Sequence, residues 1–276
     1  MNYFEFSFNT IENAQTEEDI AIAFLGESGY ESFMNENNIL KSYIKESDYN
    51  EPELTNFIKD FAITNSQLQF IKQENWNAEW ESNLHPVIID KECIIKASFH
   101  DIQESYKYEI IIDPKMSFGT GHHETTSLMC KEILELDFTG KEVADCGCGT
   151  GILAILASMK GAENILAFDI DEWSCENTKE NIIRNSIKNI AVELAGVEIL
   201  KANYYDILLA NINKNTILNS INTLSNALKN NGILLLSGIY ISDIETIVNE
   251  AMKHSLTLVH SNEKNKWASC LMLKNN

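Results

Sequence analysis

Positive charge is scarce in this sequence: 21 Lys and Arg stand against 41 Asp and Glu, a net charge of −20 at pH 7. So few cations exclude the nucleic-acid binding that depends on displacing phosphate counterions, and they disfavour anionic membrane surfaces. Long apolar runs are missing too. No stretch of roughly 18 apolar residues occurs, so no segment reads as membrane-spanning. Met1–Thr10 holds Glu5 but no Lys or Arg, which predicts no secretory signal. The six cysteines, Cys93, Cys130, Cys146, Cys148, Cys175 and Cys270, form no C-x-x-C pair. That spacing argues against a zinc site or a disulfide framework, and it predicts reduced thiols in a cytoplasmic protein. What is present is core-forming material, 44% hydrophobic residues over 276 positions, enough for one large or two modest domains.

Residues 1–74 read as a small α+β domain. Phe4, Phe6 and Phe8 alternate with polar residues as a half-buried strand does. Thr16 and Asp19 resemble a capping box opening a helix to about Leu25, and strand candidates follow at Tyr30–Asn35 and Ile39–Lys45. Pro52 starts a second helix with Leu54, Phe57, Ile58 and Phe61 on one face, and Leu68 and Phe70 alternate in a last strand. The order β-α-β-β-α-β is the ferredoxin-like pattern. Residues 75–100 read as a linker whose Trp76 and Trp80 bury between domains.

From residue 101 to 276 strands alternate with helices. The expected strands are Lys141–Cys146, Ile165–Ile170, Ala191–Leu194, Asp206–Ala210 and Ile233–Ser237. Apolar stripes at Ile217–Leu228 and Ile244–Met252 mark helices, and Asn231-Gly232 is expected to close the first of them. Such alternation predicts a Rossmann-like parallel sheet with helices on both faces. Leu256–His260 and Trp267–Leu273 are separated by a short polar turn and must pair as an antiparallel hairpin at the sheet edge.

The chemistry concentrates in Asp145-Cys146-Gly147-Cys148-Gly149-Thr150-Gly151, between a strand and the helix Ile152–Met159. Three glycines let the backbone turn sharply and meet a ligand with no side chain between, and the helix N-terminus behind them favours negative charge. Ile152 stands where a nicotinamide fingerprint requires glycine, which makes a nicotinamide oxidoreductase the weakest reading. Asp169 follows Gly147 by 22 positions at the end of the next strand, placed to accept hydrogen bonds from a ribose diol.

This pattern resembles the nucleotide-binding loop of class I S-adenosylmethionine-dependent methyltransferases, which also end in an antiparallel hairpin. A second segment, Asp113-Pro114-Lys115-Met116-Ser117-Phe118-Gly119-Thr120-Gly121-His122-His123-Glu124-Thr125-Thr126, resembles the signature of the ribosomal protein L-eleven methyltransferases (PrmA type). Lys115 and Glu124 depart from that signature. Ala210-Asn211-Ile212-Asn213 resembles the family's Asn-Ile-Leu stretch with Asn213 in place of Leu, and Asn75-Trp76, Trp80 and Leu84-His85-Pro86 resemble its Trp-rich linker.

The resemblance implies S-adenosyl-L-methionine as cofactor, held by Thr126, Gly147, Asp169 and Asn211 with a supporting loop of Phe118, Gly119, Thr120, Gly121, Gly149 and Gly151. It implies methyl transfer to lysine or N-terminal amines of a basic large-subunit ribosomal protein, by a monomer that binds neither nucleic acid nor membrane. Asn211 is the candidate for positioning the amine, and no residue is assigned to proton transfer, His122 and His123 being read as structural. Two alternatives stay open: methylation of another protein or a small molecule, and a non-catalytic cofactor-binding module of the ribosome. Residues 1–112 hold 7 Lys against 21 Asp and Glu, a net of −14, and residues 113–276 hold 14 cations against 20 anions, a net of −6. The acidic excess therefore lies mostly where substrate recognition is expected, although it serves equally well as a solvated surface.

Overall fold

Phe6 and Phe8 bury their rings on one face of the strand β1 (Tyr3–Asn9), as their alternation requires. The computed structural model describes residues 2–9, 15–36, 38–71, 85–113 and 118–275, apart from the side chains of 15–17 and 36. The chain divides into two units, Met1–Asn83 and Leu84–Asn276. The Thr16 side chain, Trp76, Trp80 and Pro114–Ser117 lie outside the described residues.

In the first unit β1 is followed by α1 (Gln15–Glu27), β2 (Ser32–Glu36), β3 (Ile39–Lys45), α2 (Glu51–Asp60) and β4 (Ser66–Ile71). The strands pair antiparallel in the order β2-β3-β1-β4. Phe8 stands opposite Leu40 and Phe4 opposite Ile44, so one face gathers the apolar residues that α1 covers with Ala21 and Leu25 and α2 with Leu54 and Phe57. Asn50 caps α2 by accepting from the Glu53 amide, one residue ahead of the expected start. Leu68 and Phe70 share the apolar face but sit on the edge strand, where they remain 41% and 45% exposed.

The second unit opens with β5 (Val87–Ile89), β6 (Cys93–Lys96) and β7 (Tyr108–Ile111), a small mixed sheet. Residues 85–100, assigned to a linker from sequence, are thus built into this unit. The cause is local: Asp90 and Lys91 both take positive φ, which a tight hairpin turn requires, and Ile89, Cys93 and Ile95 then bury in the main core.

There follow α3 (Glu124–Glu135), β8 (Glu142–Cys146), α4 (Ile152–Met159), β9 (Asn164–Asp169), α5 (Glu172–Arg184), β10 (Ile190–Leu194), β11 (Tyr205–Asn211), α6 (Lys214–Ala227), β12 (Leu228–Tyr240), α7 (Ile244–Met252), β13 (Leu256–Lys264) and β14 (Trp267–Lys274). Seven strands lie in the order β10-β9-β8-β11-β12-β14-β13, all running the same way except β14, which is antiparallel to both β12 and β13 and closes the expected edge hairpin. Helices α3 and α4 cover one face and α6 and α7 the other. Asn231-Gly232 does not end α6. That helix stops at Ala227, because Tyr204 donates to the Ala227 carbonyl and draws Leu228 beside Tyr205. Asn231, at φ 60°, lies instead in a bulge of β12. At the far edge, His260 and Asn262 of β13 reach the buried Glu132 carboxylate of α3, His260 at 2.9 Å.

Candidate functional site

Parallel strands of a doubly wound sheet present their carboxyl ends to a common crevice, and the order of strands reverses here between β8 and β11. At that point a cavity of about 510 Å³ opens, bounded by Phe118, Gly147, Gly149, Asp169 and Asn211. The sequence anticipates those five. Its wall continues through Ile212 and Asn213 of the Ala210–Asn213 motif and through residues that no motif announced: Ile170 and Ser174 after β9, Ala195–Glu198 after β10, and Thr216 and Ser220 of α6. The rule that ligands bind beyond strand ends was the available signal for Ala195–Glu198. Ile170 carries a second signal, an apolar side chain left 83% exposed beside a carboxylate.

The glycine loop keeps its shape because side chains are absent at two close approaches. A Cβ on Gly147 meets Ile212 Cγ2 at 2.5 Å, and one on Gly149 meets the Phe118 carbonyl oxygen at 2.3 Å. Both residues also take positive φ. Asp169 is clamped by backbone donors, Gly149 N–H at 3.0 Å and Asp171 N–H at 3.1 Å. Each carboxylate oxygen keeps a lone pair for a further donor.

Asp145, behind the loop, is fully buried. Its Oδ2 accepts from the Ala154 amide at 3.2 Å while its Oδ1 has no partner, and burial pushes its pKa up to about 7. Burial also raises the Cys146 and Cys148 thiols, which keeps them neutral.

Asn211 ends β11 with its amide nitrogen donating to Thr126 Oγ1 at 3.4 Å. The amide oxygen is buried with no hydrogen-bond partner. Thr126 itself is buried behind Asn211 rather than on the cavity wall. Gly119, Thr120, Gly121 and Gly151 also stand outside the wall. Gly119 accepts from Thr150 Oγ1, Gly121 packs on Ile95, and Gly151 opens α4.

His122 spans Thr120 Oγ1 and the His85 carbonyl, and His123 caps α3 by accepting from the Thr125 amide. Asn213 caps α6 through the Thr216 amide and hydroxyl, which accounts for Asn at that position. Phe118, 54% exposed, begins a series of rings: His123 at 5.1 Å, then Trp267 at 4.8 Å, then Tyr240 stacked at 4.2 Å.

A sequence model described as ribosomal protein L11 methyltransferase (PrmA) matches residues 5–275. The ribosomal protein L11 methyltransferase of Bacteroides fragilis is 42% identical over 275 residues, 98% of this chain and 98% of that protein. That of Bacteroides thetaiotaomicron is 41% identical with the same coverage. Among solved structures, the ribosomal protein L11 methylase of Lactobacillus delbrueckii subsp. bulgaricus matches with a TM-score of 0.65 at 28% identity, over 70% of this chain and 100% of that one. The sequence matches extend through the first unit as well as the second, where the motifs lie. The chain belongs to the ribosomal protein L11 methyltransferase (PrmA) family.

Proposed function

We propose that the chain transfers methyl groups from S-adenosylmethionine to lysine side chains and the N-terminal amine of ribosomal protein L11. The unpartnered amide oxygen of Asn211 carries this reading. A buried acceptor without a donor is costly unless a ligand supplies one, and an amine N–H is the donor that methyl transfer to nitrogen requires.

The cavity fits the cofactor. The backbone at Gly147 leaves room that any side chain would fill, and the clamped Asp169 carboxylate suits a ribose diol. Ile170 and Val197 offer apolar contact to a purine, with Glu198 beside them to accept from its amino group. The cofactor supplies an electrophilic methyl on a sulfonium. The protein supplies alignment: Asn211 accepts an N–H of the neutral amine and turns its lone pair along the transfer axis, while Thr126 keeps the amide from rotating. An ammonium with an ordinary pKa of about 10.4 loses its proton more readily in a desolvated crevice, so no histidine base is required. The ring faces from Phe118 to Tyr240 attract an alkylated ammonium, which favours repeated transfer to one nitrogen.

Residues 1–74, with 4 Lys against 14 Asp and Glu, act in this reading as the recognition domain for a basic protein in the cytoplasm. The six buried free thiols suit that reducing compartment. The test is mass spectrometry of purified L11 after incubation with the chain and labelled cofactor. Methyl increments on amines are expected, falling ~10²-fold in rate for Asn211→Ala. An unmodified L11 alongside a labelled protein in whole lysate would redirect the reading to another substrate. Label in neither would leave a binding module.

A further inference from the structure

A helix facing a core normally turns apolar residues inward, yet the inner face of α5 is polar. Asn177, Thr178 and Asn181 are buried, and Arg184 and Asn185 continue the same stripe. Each makes a bond that leaves the helix or supports one that does. Thr178 Oγ1 donates to the Gly149 carbonyl at 2.8 Å, and Asn181 Nδ2 donates to the Thr150 carbonyl at 2.9 Å and to Asn177 Oδ1 at 3.2 Å. Arg184 donates to Asn181 Oδ1 at 3.3 Å and pairs through Nε with Asp113 Oδ2 at 2.9 Å. Asn185 accepts from the Ile111 amide at 2.8 Å and donates to the Ile111 carbonyl at 2.7 Å. Asp113 is held from its other side by the Ser98 amide and hydroxyl.

One helix face therefore grips two separate stretches of backbone, the glycine loop at Gly149–Thr150 and the strand exit at Ile111–Asp113. The grip matters because the loop is rich in glycine. Gly147, Gly149 and Gly151 all sit at positive φ, and glycine imposes no preference among the conformations open to it. Phe168, Phe118 and Asp169 hold the loop through its amides, and α5 completes the hold through the Gly149 and Thr150 carbonyls.

We infer that Asn181 is a positioning residue for the cofactor: it sets the glycine loop through the Thr150 carbonyl and, with Arg184, locks that loop to Asp113 as one unit. The inference rests on S-adenosylmethionine being the ligand of the cavity, and it is separable from the identity of the methyl acceptor.

The test is calorimetric titration of the full chain with S-adenosylhomocysteine, for wild type, Asn181→Asp and Arg184→Lys. Asn181→Asp keeps the volume and the Arg184 partner but presents an oxygen where the Thr150 carbonyl needs a donor. Its Kd for the cofactor product is expected to rise about tenfold, with KM for the cofactor following it and KM for the protein substrate unchanged. Arg184→Lys loses the planar fork that joins Asp113 to Asn181, and about a threefold rise is expected. A merely structural role lowers the melting temperature and leaves Kd, measured well below it, where it was. That result in either folded variant overturns the inference, and Arg184→Lys, on the partly exposed end of the stripe, decides it alone should Asn181→Asp not fold. A wild-type chain that bound no S-adenosylhomocysteine would overturn the cofactor reading, and this inference with it.

Discussion

Asp145 is a carboxyl held against its preference. Its ordinary pKa of 3.8 is raised to about 7 by burial, so between those values the folded chain keeps a proton that the unfolded chain has released. Rising pH through that window therefore favours the unfolded state. Asn at this position carries no such penalty. Asp145→Asn should gain stability relative to wild type as pH rises from about 4 to about 8, by ~4 kcal/mol at most. Urea unfolding of both proteins near pH 5 and near pH 8 measures it, and a difference that does not change with pH would show that the carboxylate finds compensation.

At this scale the sequence was most legible where a residue type has one use. Gly147, Asp169 and Asn211 stand where their spacing from strand ends placed them. Asn213 was harder to read, because a helix cap and a ligand contact ask for the same side chain. Thr126, expected at the cofactor, accepts from the Asn211 amide and stands off the cavity wall.

The glycine loop is the element on which the cavity turns. Gly147 takes φ 74°, where an L side chain costs ~1–2 kcal/mol, and its Cβ would meet Ile212. Gly147→Ala is expected to lower the melting temperature by a few degrees and to weaken cofactor binding ~10-fold or more, since Ile212 must shift toward the cavity. Unaltered binding in the folded variant would mean that the loop is laxer than its contacts imply.

Strands, the largely apolar α4 and the edge hairpin were readable from period and length, because burial on one or both faces imposes a pattern. Four features were not. Asn231-Gly232 has the chemistry of a helix cap and of a bulge alike, and pairing of Leu228 with Tyr205 decided between them. β5 and β6 are too short for periodicity to register. The stripe of α5 looks like a solvated face, since polar residues usually are, and only the loop carbonyls opposite reveal it as an interior surface.

Over the whole molecule the charge is unevenly spread, −14 in residues 1–112 against −6 in the rest. A field of that sign accelerates encounter with a lysine-rich protein and weakens as salt rises. Replacing Glu18 and Asp19 by Lys should raise KM for the protein substrate several-fold at low salt, less at high salt, and leave cofactor Kd unchanged. Steady-state kinetics at two ionic strengths would settle it, and an unmoved KM would assign the acidity to solvation. The contact of His260 and Asn262 with Glu132 acts over a comparable span of sequence. It fastens the helix that bears Thr126 with side chains made some 130 residues later in the chain. A nascent chain halted before residue 260 already contains every residue of the cavity wall, yet lacks the clasp that seats α3 beside Asn211. The hold on α3 therefore depends on a strand that follows every residue of the cavity wall in the sequence.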